Sequence, residues 1–227
     1  METTTNLGMT DGSHTVIVAH TSRITWAHQL QTTTNATQIC MDDGTLGCFN
    51  NHLTAWQWHE ANSFHGWAIV VEDDALPIPD FTHQLDLALT AAPPDASIIS
   101  LYLGKARPPQ YQTHVATAVS HALDDNHAWI ISRRLLSAVA VAIRTDLVAS
   151  LAAHLHRFRD LDIDEAITGW AGYKHMTAYT MPSLVDHRDT PTIAYHRDGQ
   201  PRPPGRTAYV VGGRTNWNTP ATPMRLE

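Results

Sequence analysis

The chain has 227 residues, of which 43% are hydrophobic, and a formal charge of −7. That is enough apolar material for one substantial domain core. The acidic balance excludes a general attraction to nucleic acid, though not a local basic surface, and the absence of any run of ~18 apolar residues excludes a transmembrane helix.

In chain order, the polar start METTTNLGMTDGSHT shows no basic n-region and no apolar h-region. A secretory signal is therefore not expected, residues 1–13 read as disordered, and a cytoplasmic location follows. Residues 15–19 (TVIVA) form a short buried strand, and HTSRITWAHQL is a loop opening into a helix. A second strand is expected over 37–41, ending in Asp42-Asp43-Gly44, and a helix over 46–59 with Leu46, Phe49, Leu53 and Trp56 near one face. Residues 68–71 (AIVV) are a third strand, 81–89 a helix and 96–103 (ASIISLYL) a further strand. After a polar excursion through 104–126, a strand is expected over 127–132 and helices over 144–157 and from 164. From residue 186 onward Pro, Gly and Arg dominate, so regular structure thins out.

Strands alternating with helices imply an α/β, Rossmann-type layered fold with a mostly parallel central sheet. No strand is followed by GxGxxG or GxxxxGK[ST], which argues against a dinucleotide or P-loop site. Cys40 and Cys48 lack CxxC spacing, so they are expected as buried free thiols, with no disulfide-linked partner. The 15 histidines are scattered and include no HExxH, so most are read as surface or hydrogen-bonded core residues.

The informative stretch is WAIVVEDDALPIPDF, where the 68–71 strand runs into Glu72, Asp73 and Asp74. Three adjacent carboxylates repel one another unless a cation or hydrogen-bond donors gather there. A solvated acidic turn is the plain alternative, but ligands of open α/β sheets bind at the carboxyl ends of strands, where this triplet falls. Two later clusters accompany it: Asp160-Leu-Asp162-Ile-Asp164-Glu165, which alone is an acidic helix start, and Met181-Pro-Ser-Leu-Val-Asp186-His187. Together they offer an oxygen-rich site for Mn²⁺ or Mg²⁺.

The segment Gly44-Thr-Leu-Gly-Cys-Phe-Asn-Asn-His-Leu-Thr-Ala-Trp56, followed by Trp67-Ala-Ile-Val-Val-Glu-Asp-Asp-Ala75, resembles the GxxGCxxSHxxxW and hxxxEDDh signature of glycosyltransferase family 25. Asn51 departs from that pattern, standing where the family has Ser. The resemblance implies a GT-A fold over residues 14–187, a nucleotide-sugar donor of the UDP-sugar kind and a divalent Mn²⁺ or Mg²⁺ on its diphosphate. In that reading Asp74 is the direct metal ligand, with Glu72 and His187 around the ion. Glu72, Asp73, His20 and Arg23 face the donor. An inverting transferase also needs a base for the acceptor hydroxyl; Asp164 aligns with the family's later acidic motif, with Glu165 and Asp162 as alternates.

The segment from residue 188 to 227 is expected to pack on that domain. It carries six arginines, no lysine, and the aromatics Tyr195, Tyr209 and Trp217. Arginines interleaved with aromatics can hold phosphates and stack on bases, and Arg197, Arg202, Arg206 and Arg214 are the candidate acceptor contacts. The chain also resembles small phage-encoded glycosyltransferases that modify hydroxymethylated pyrimidines in DNA, which makes a DNA acceptor the first expectation. A saccharide or protein acceptor is the second, and a non-catalytic relative that binds nucleotide-sugar or DNA is the third.

Overall fold

The structure is a computed structural model that describes residues 13–62, 65–193 and 204–226. Its strands are β1 (His14–His20), β2 (Gln38–Asp42), β3 (Trp67–Glu72), β4 (Ala75–Pro77), β5 (Ala96–Ser100), β6 (Trp129–Ser132), β7 (Ala140–Arg144), β8 (Met176–Thr180), β9 (Val185–His187) and β10 (Ala221–Pro223). Its α-helices are α1 (Ile24–Thr34), α2 (Cys48–Asn62), α3 (Phe81–Thr90), α4 (Gln112–Asp124), α5 (Val148–Arg157) and α6 (Ile163–Ala171). Eight strands form one sheet in the order β10-β6-β8-β5-β7-β3-β1-β2.

Most neighbouring pairs are parallel: β1 with β2 and β3, β5 with β8, and β6 with β10. The antiparallel insertions are β7, between β3 and β5, and β6 against β8. This is the expected mixed α/β layered architecture. The carboxyl ends of β1, β2, β3, β5 and β8 consequently share one end of the sheet.

Strand periodicity explains the layering. Ile69 and Val71 point into one apolar layer with Ile17 and Ala19, whereas Ala68 and Val70 point into the other with Val16 and Val18. Successive side chains alternate between faces, so a four-residue apolar run serves both layers, as a strand covered on both sides requires. The first layer is closed by α1 and α3 through Ala27, Leu30, Phe81 and Leu85. The second is closed by α2, α5 and α6 through Leu53, Trp56, Leu151, Leu155 and Ile167. Each fully buried aliphatic residue contributes roughly 1.5–3 kcal/mol.

Three expectations are corrected. The AVAIR run is the central strand β7, paired antiparallel with both β3 and β5, and the helix expected from 144 begins at Val148. The 104–126 stretch contains α4, which buries Val115, Ala118, Val119 and Ala122. The tail does more than lie over the domain: β10 extends the sheet, and Trp217, 2% exposed, packs on Trp129 with ring centroids 5.6 Å apart. The expected N-terminal disorder concerns residues that, apart from Ser13, lie outside the described ones.

A small second sheet pairs β4 with β9 in antiparallel register and sets Ala75 opposite His187. That pairing brings the late histidine beside Asp74. No helix among the described residues is long and apolar enough to cross a membrane.

Candidate functional site

A cavity of about 740 Å³ opens at the carboxyl ends of the parallel strands. Glu72 enters it from the end of β3, and Asp162, Asp164 and Glu165 enter from the start of α6. Lys105, Arg134 and Arg206 line the same space, as do Tyr102 and His187. Acidic and basic groups thus meet around one volume large enough for a nucleotide-sized ligand.

Asp162 is the N-cap residue of α6, with extended backbone, and Asp164 and Glu165 occupy the first turn. Asp164 Oδ1 accepts from the Glu165 backbone N–H at 3.1 Å. Burial, reinforced by the neighbouring Asp162 carboxylate, nevertheless pushes the Asp164 carboxyl up to about 7. The helix start favours the ionised form, but desolvation and the like charge outweigh it here. A half-buried carboxyl poised near neutrality and open to a cavity is suited to accepting a proton.

The acidic triplet divides its labour. Glu72 turns to α2, where its Oε1 lies 3.0 Å from His52 Nε2. Asp73 accepts from the His20 backbone N–H at 2.8 Å and from Arg23 Nη1 at 2.9 Å, so it anchors its own turn. Burial raises the Asp73 carboxyl despite those donors. Asp74 Oδ2 is 2.7 Å from Arg23 Nη1 and 3.5 Å from His187 Nε2. Burial would raise Asp74, but His187 and Arg23 together hold it below the usual carboxylate range.

The residues expected around Mn²⁺ or Mg²⁺ are not gathered about one point among the described side chains. Glu72, Asp74 and His187 do not close into a common ligand set. The one group of three His, Cys, Asp or Glu side chains among the described residues with all its ligand atoms within 4.8 Å is Cys48, His52 and Glu72. The buried Asp74 Oδ1 has no hydrogen-bond partner, but its twin oxygen is already neutralised by the Arg23 guanidinium. A hard cation wants several oxygens at 2.0–2.6 Å, and an arginine occupies that role here.

Arg23 is therefore an internal counter-ion. It also reaches Thr190 Oγ1 and the Pro191 carbonyl and stacks over Trp26, 5.3 Å from the ring centroid. The side chain of His20 bonds to Ser22 Oγ at 2.8 Å. Neither His20 nor Arg23 lines the cavity. Asn51, the departure from the resembled signature, is 4% exposed and donates to the Ala19 and Cys40 carbonyls at 3.2 and 3.0 Å. It ties α2 to β1 and β2, a structural task.

Among the tail arginines expected as acceptor contacts, Arg214 is engaged within the fold. Its guanidinium donates to the Asn126, His127, Met181 and Asn216 carbonyls and to Asn126 Oδ1, at 2.6–3.2 Å. Those five bonds match its five N–H donors, leaving none for a phosphate. Arg206 lines the cavity, bonds the Thr190 carbonyl and lies 3.6 Å from Asp189. Arg197 and Arg202 lie outside the described residues.

The sequence reading passed over Cys48 and His52 as functional groups, along with Tyr102, Lys105 and Arg134. Cys48 and His52 stand at i and i+4, the spacing that aligns two side chains on one helix face, so that signal was available. Cys40 and Cys48 are both free in this structure; of the two, expected as buried, only Cys40 is, and Cys48 is exposed and lines the cavity. Nothing local in the 104–136 stretch marks Lys105 or Arg134, which the fold brings in from separate loops.

No protein-family model matches the chain, and no curated protein matches it. Among solved structures, the chain is similar to one titled "Crystal Structure of A197 from STIV", at 10% identity and a TM-score of 0.45, over 88% of this chain and 98% of that one.

Proposed function

We propose that the protein is a glycosyltransferase that moves a sugar from a nucleoside-diphosphate donor of the UDP-sugar kind to an acceptor hydroxyl in the cavity. The observation carrying this reading is one shared volume at the strand ends that holds Asp164, poised near neutrality, together with Lys105, Arg134 and Arg206. The resemblance of the 44–75 stretch to glycosyltransferase family 25 supports the same class.

In this reading Asp164 takes the acceptor proton as the acceptor oxygen bonds to the anomeric carbon. The bond from that carbon to the diphosphate oxygen breaks on the opposite face, which inverts the centre. The departing nucleoside diphosphate carries away the electron pair, and its charge is met by the cavity cations. Glu165, more exposed, is the alternate base.

Arg214 is spent on backbone carbonyls and Arg206 lines the cavity, so neither of these two is proposed as a DNA contact. A saccharide or another small hydroxyl acceptor is therefore the favoured partner. Incubating the full chain with a panel of nucleotide-sugars, free saccharides and hydroxymethylated DNA, while measuring nucleoside diphosphate release, tests both points. Donor-dependent release that Asp164→Asn abolishes is expected. No donor binding at ~1 mM, near the upper end of ordinary substrate affinities, would defeat the reading.

A further inference from the structure

We propose that Cys48, His52 and Glu72 form a site for one zinc-type divalent ion whose remaining coordination position faces the cavity. The site shares Glu72 with the oxygen-rich Asp74 set implied by the family resemblance, but it leaves out Asp74 and His187 and calls for a different class of metal.

Cys48 opens α2 and His52 stands one turn later, so both project from one face of that helix. Glu72, at the end of β3, meets them there, with its Oε1 3.0 Å from His52 Nε2. One ligand atom from each residue lies within 4.8 Å of the others. Ligands of one tetrahedral zinc stand roughly 3.3–3.6 Å apart, as bonds of about 2.0–2.3 Å require. The three side chains need to shift by no more than about an ångström to meet that spacing.

The donor chemistry selects the metal. A thiolate, an imidazole and a carboxylate suit Zn²⁺ or Co²⁺, whereas Mg²⁺ and Mn²⁺ prefer oxygen shells. Three protein ligands with an open fourth position is the pattern of zinc sites that exchange water or substrate. Cys48 and Glu72 line the cavity while His52 lies behind them, 1% exposed, so the fourth position opens inward. Asp162, Asp164 and Glu165 share that cavity and make its field attractive to a cation.

His52 presents Nε2 to Glu72, so that is the nitrogen an ion between them would engage; the buried Nδ1 has no hydrogen-bond partner with or without it. The bland reading is a hydrogen bond that merely pins α2 to β3; it leaves the nearby thiol without a role.

Ion binding is measurable without donor or acceptor, so the inference stands or falls apart from the transfer reading. The full chain, stripped with chelator, is titrated with Co²⁺ and followed by absorbance. One equivalent should give a near-ultraviolet thiolate-to-cobalt band and tetrahedral visible absorption. Zn²⁺ should displace the cobalt stoichiometrically, and a hundredfold excess of Mg²⁺ should not. Cys48→Ala, at an exposed position that tolerates truncation, should abolish the thiolate band and weaken binding at least tenfold. Glu72→Gln should also weaken binding, with circular dichroism confirming that both variants fold. Absence of cobalt binding, a cobalt spectrum without the thiolate band, or equal binding in Cys48→Ala overturns the proposal, the last by placing the ion on other histidines.

Discussion

Arg23 Nη1 lies 2.7 Å from Asp74 Oδ2, joining the turn after β1 to the turn after β3 across 51 residues of chain. The same nitrogen holds Asp73, so one guanidinium neutralises two buried carboxylates that adjacent charge would otherwise force apart. The acidic triplet is stable because its cation is built in.

Arg23→Met should therefore destabilise the fold by about 3 kcal/mol at pH 7, the scale for removing one partner of a buried ion pair. The loss should shrink as pH falls toward 4, because protonating Asp73 and Asp74 removes the stranded charge. In the wild type Asp74 remains largely ionised at pH 4, because its folded pKa is depressed and its stabilising contribution is lost only as pH falls through that folded value. In the variant, burial without Arg23 raises both carboxyls, so their penalty is relieved by protonation. Urea unfolding at pH 7 and pH 4 measures both effects. A change within ~0.5 kcal/mol at pH 7 would match an ordinary surface substitution and contradict the counter-ion role.

Asp164 has the opposite sign. Burial and the Asp162 carboxylate push it up to about 7, well above an unfolded carboxyl. The folded state then binds the extra proton, and this group costs stability as pH rises from about 4 through about 7. Asp164→Asn should thus be nearly neutral at pH 4 and more stable than wild type at pH 8. The gain should be on the order of 1–2 kcal/mol, since water admitted by the cavity screens part of the penalty. Transfer should rise with pH through about 7 in the wild type and vanish in the variant. A pH-independent stability difference would sink the shifted-carboxyl assignment.

The contrast between Asp74 and Asp164 shows what was legible in the sequence. The strands that form the middle of the sheet were readable because AIVV and TVIVA are too short and too β-branched for helices and end in turn signals. The strand-end position of Glu72 followed from them. The partners did not, because Arg23 and Asp73 stand 50 positions apart and carry no local mark of their contact. β7 escaped because AVAIR, rich in alanine, fits either period. Cys48 and His52 lie within the quoted motif, a cysteine one helical turn before a histidine, but nothing local marks Glu72 as their third partner. The arginine-rich tail misled for a related reason: composition counts guanidiniums, but only the fold shows that Arg214 is consumed by carbonyls.

That consumption has a measurable consequence. Arg214 ties the tail to the Asn126–His127 turn and to Met181, beside the Trp129–Trp217 contact. Arg214→Ala should cost roughly 1–2 kcal/mol, because several part-buried and exposed carbonyls lose a charged donor together. Arg214→Lys should recover little, since a single ammonium cannot reproduce the planar fork. Neither change should alter nucleotide affinity in protein that remains folded. If Arg214→Ala keeps full stability and weakens ligand binding instead, the arginine belongs to a binding surface.

The cavity cations make the complementary case. Arg134 sits 5.5 Å from the Tyr111 ring centroid and Lys105 6.0 Å from that of Tyr209, so aromatic faces hold both side chains at the cavity wall. If these two meet a donor diphosphate, Arg134→Gln and Lys105→Gln should each weaken nucleoside-diphosphate binding by about tenfold, the scale of one charge-assisted contact. The corresponding nucleoside, lacking phosphates, should bind all three proteins alike. Raising salt from 50 to 500 mM should erode the wild-type preference for the diphosphate more than that of the variants, because screening acts on the charges that the variants no longer have. Isothermal titration with both ligands separates the outcomes. Equal loss of nucleoside and diphosphate binding would mean that the substitutions distort the cavity. Unchanged diphosphate affinity in both variants would instead remove the cationic wall from the proposed donor site.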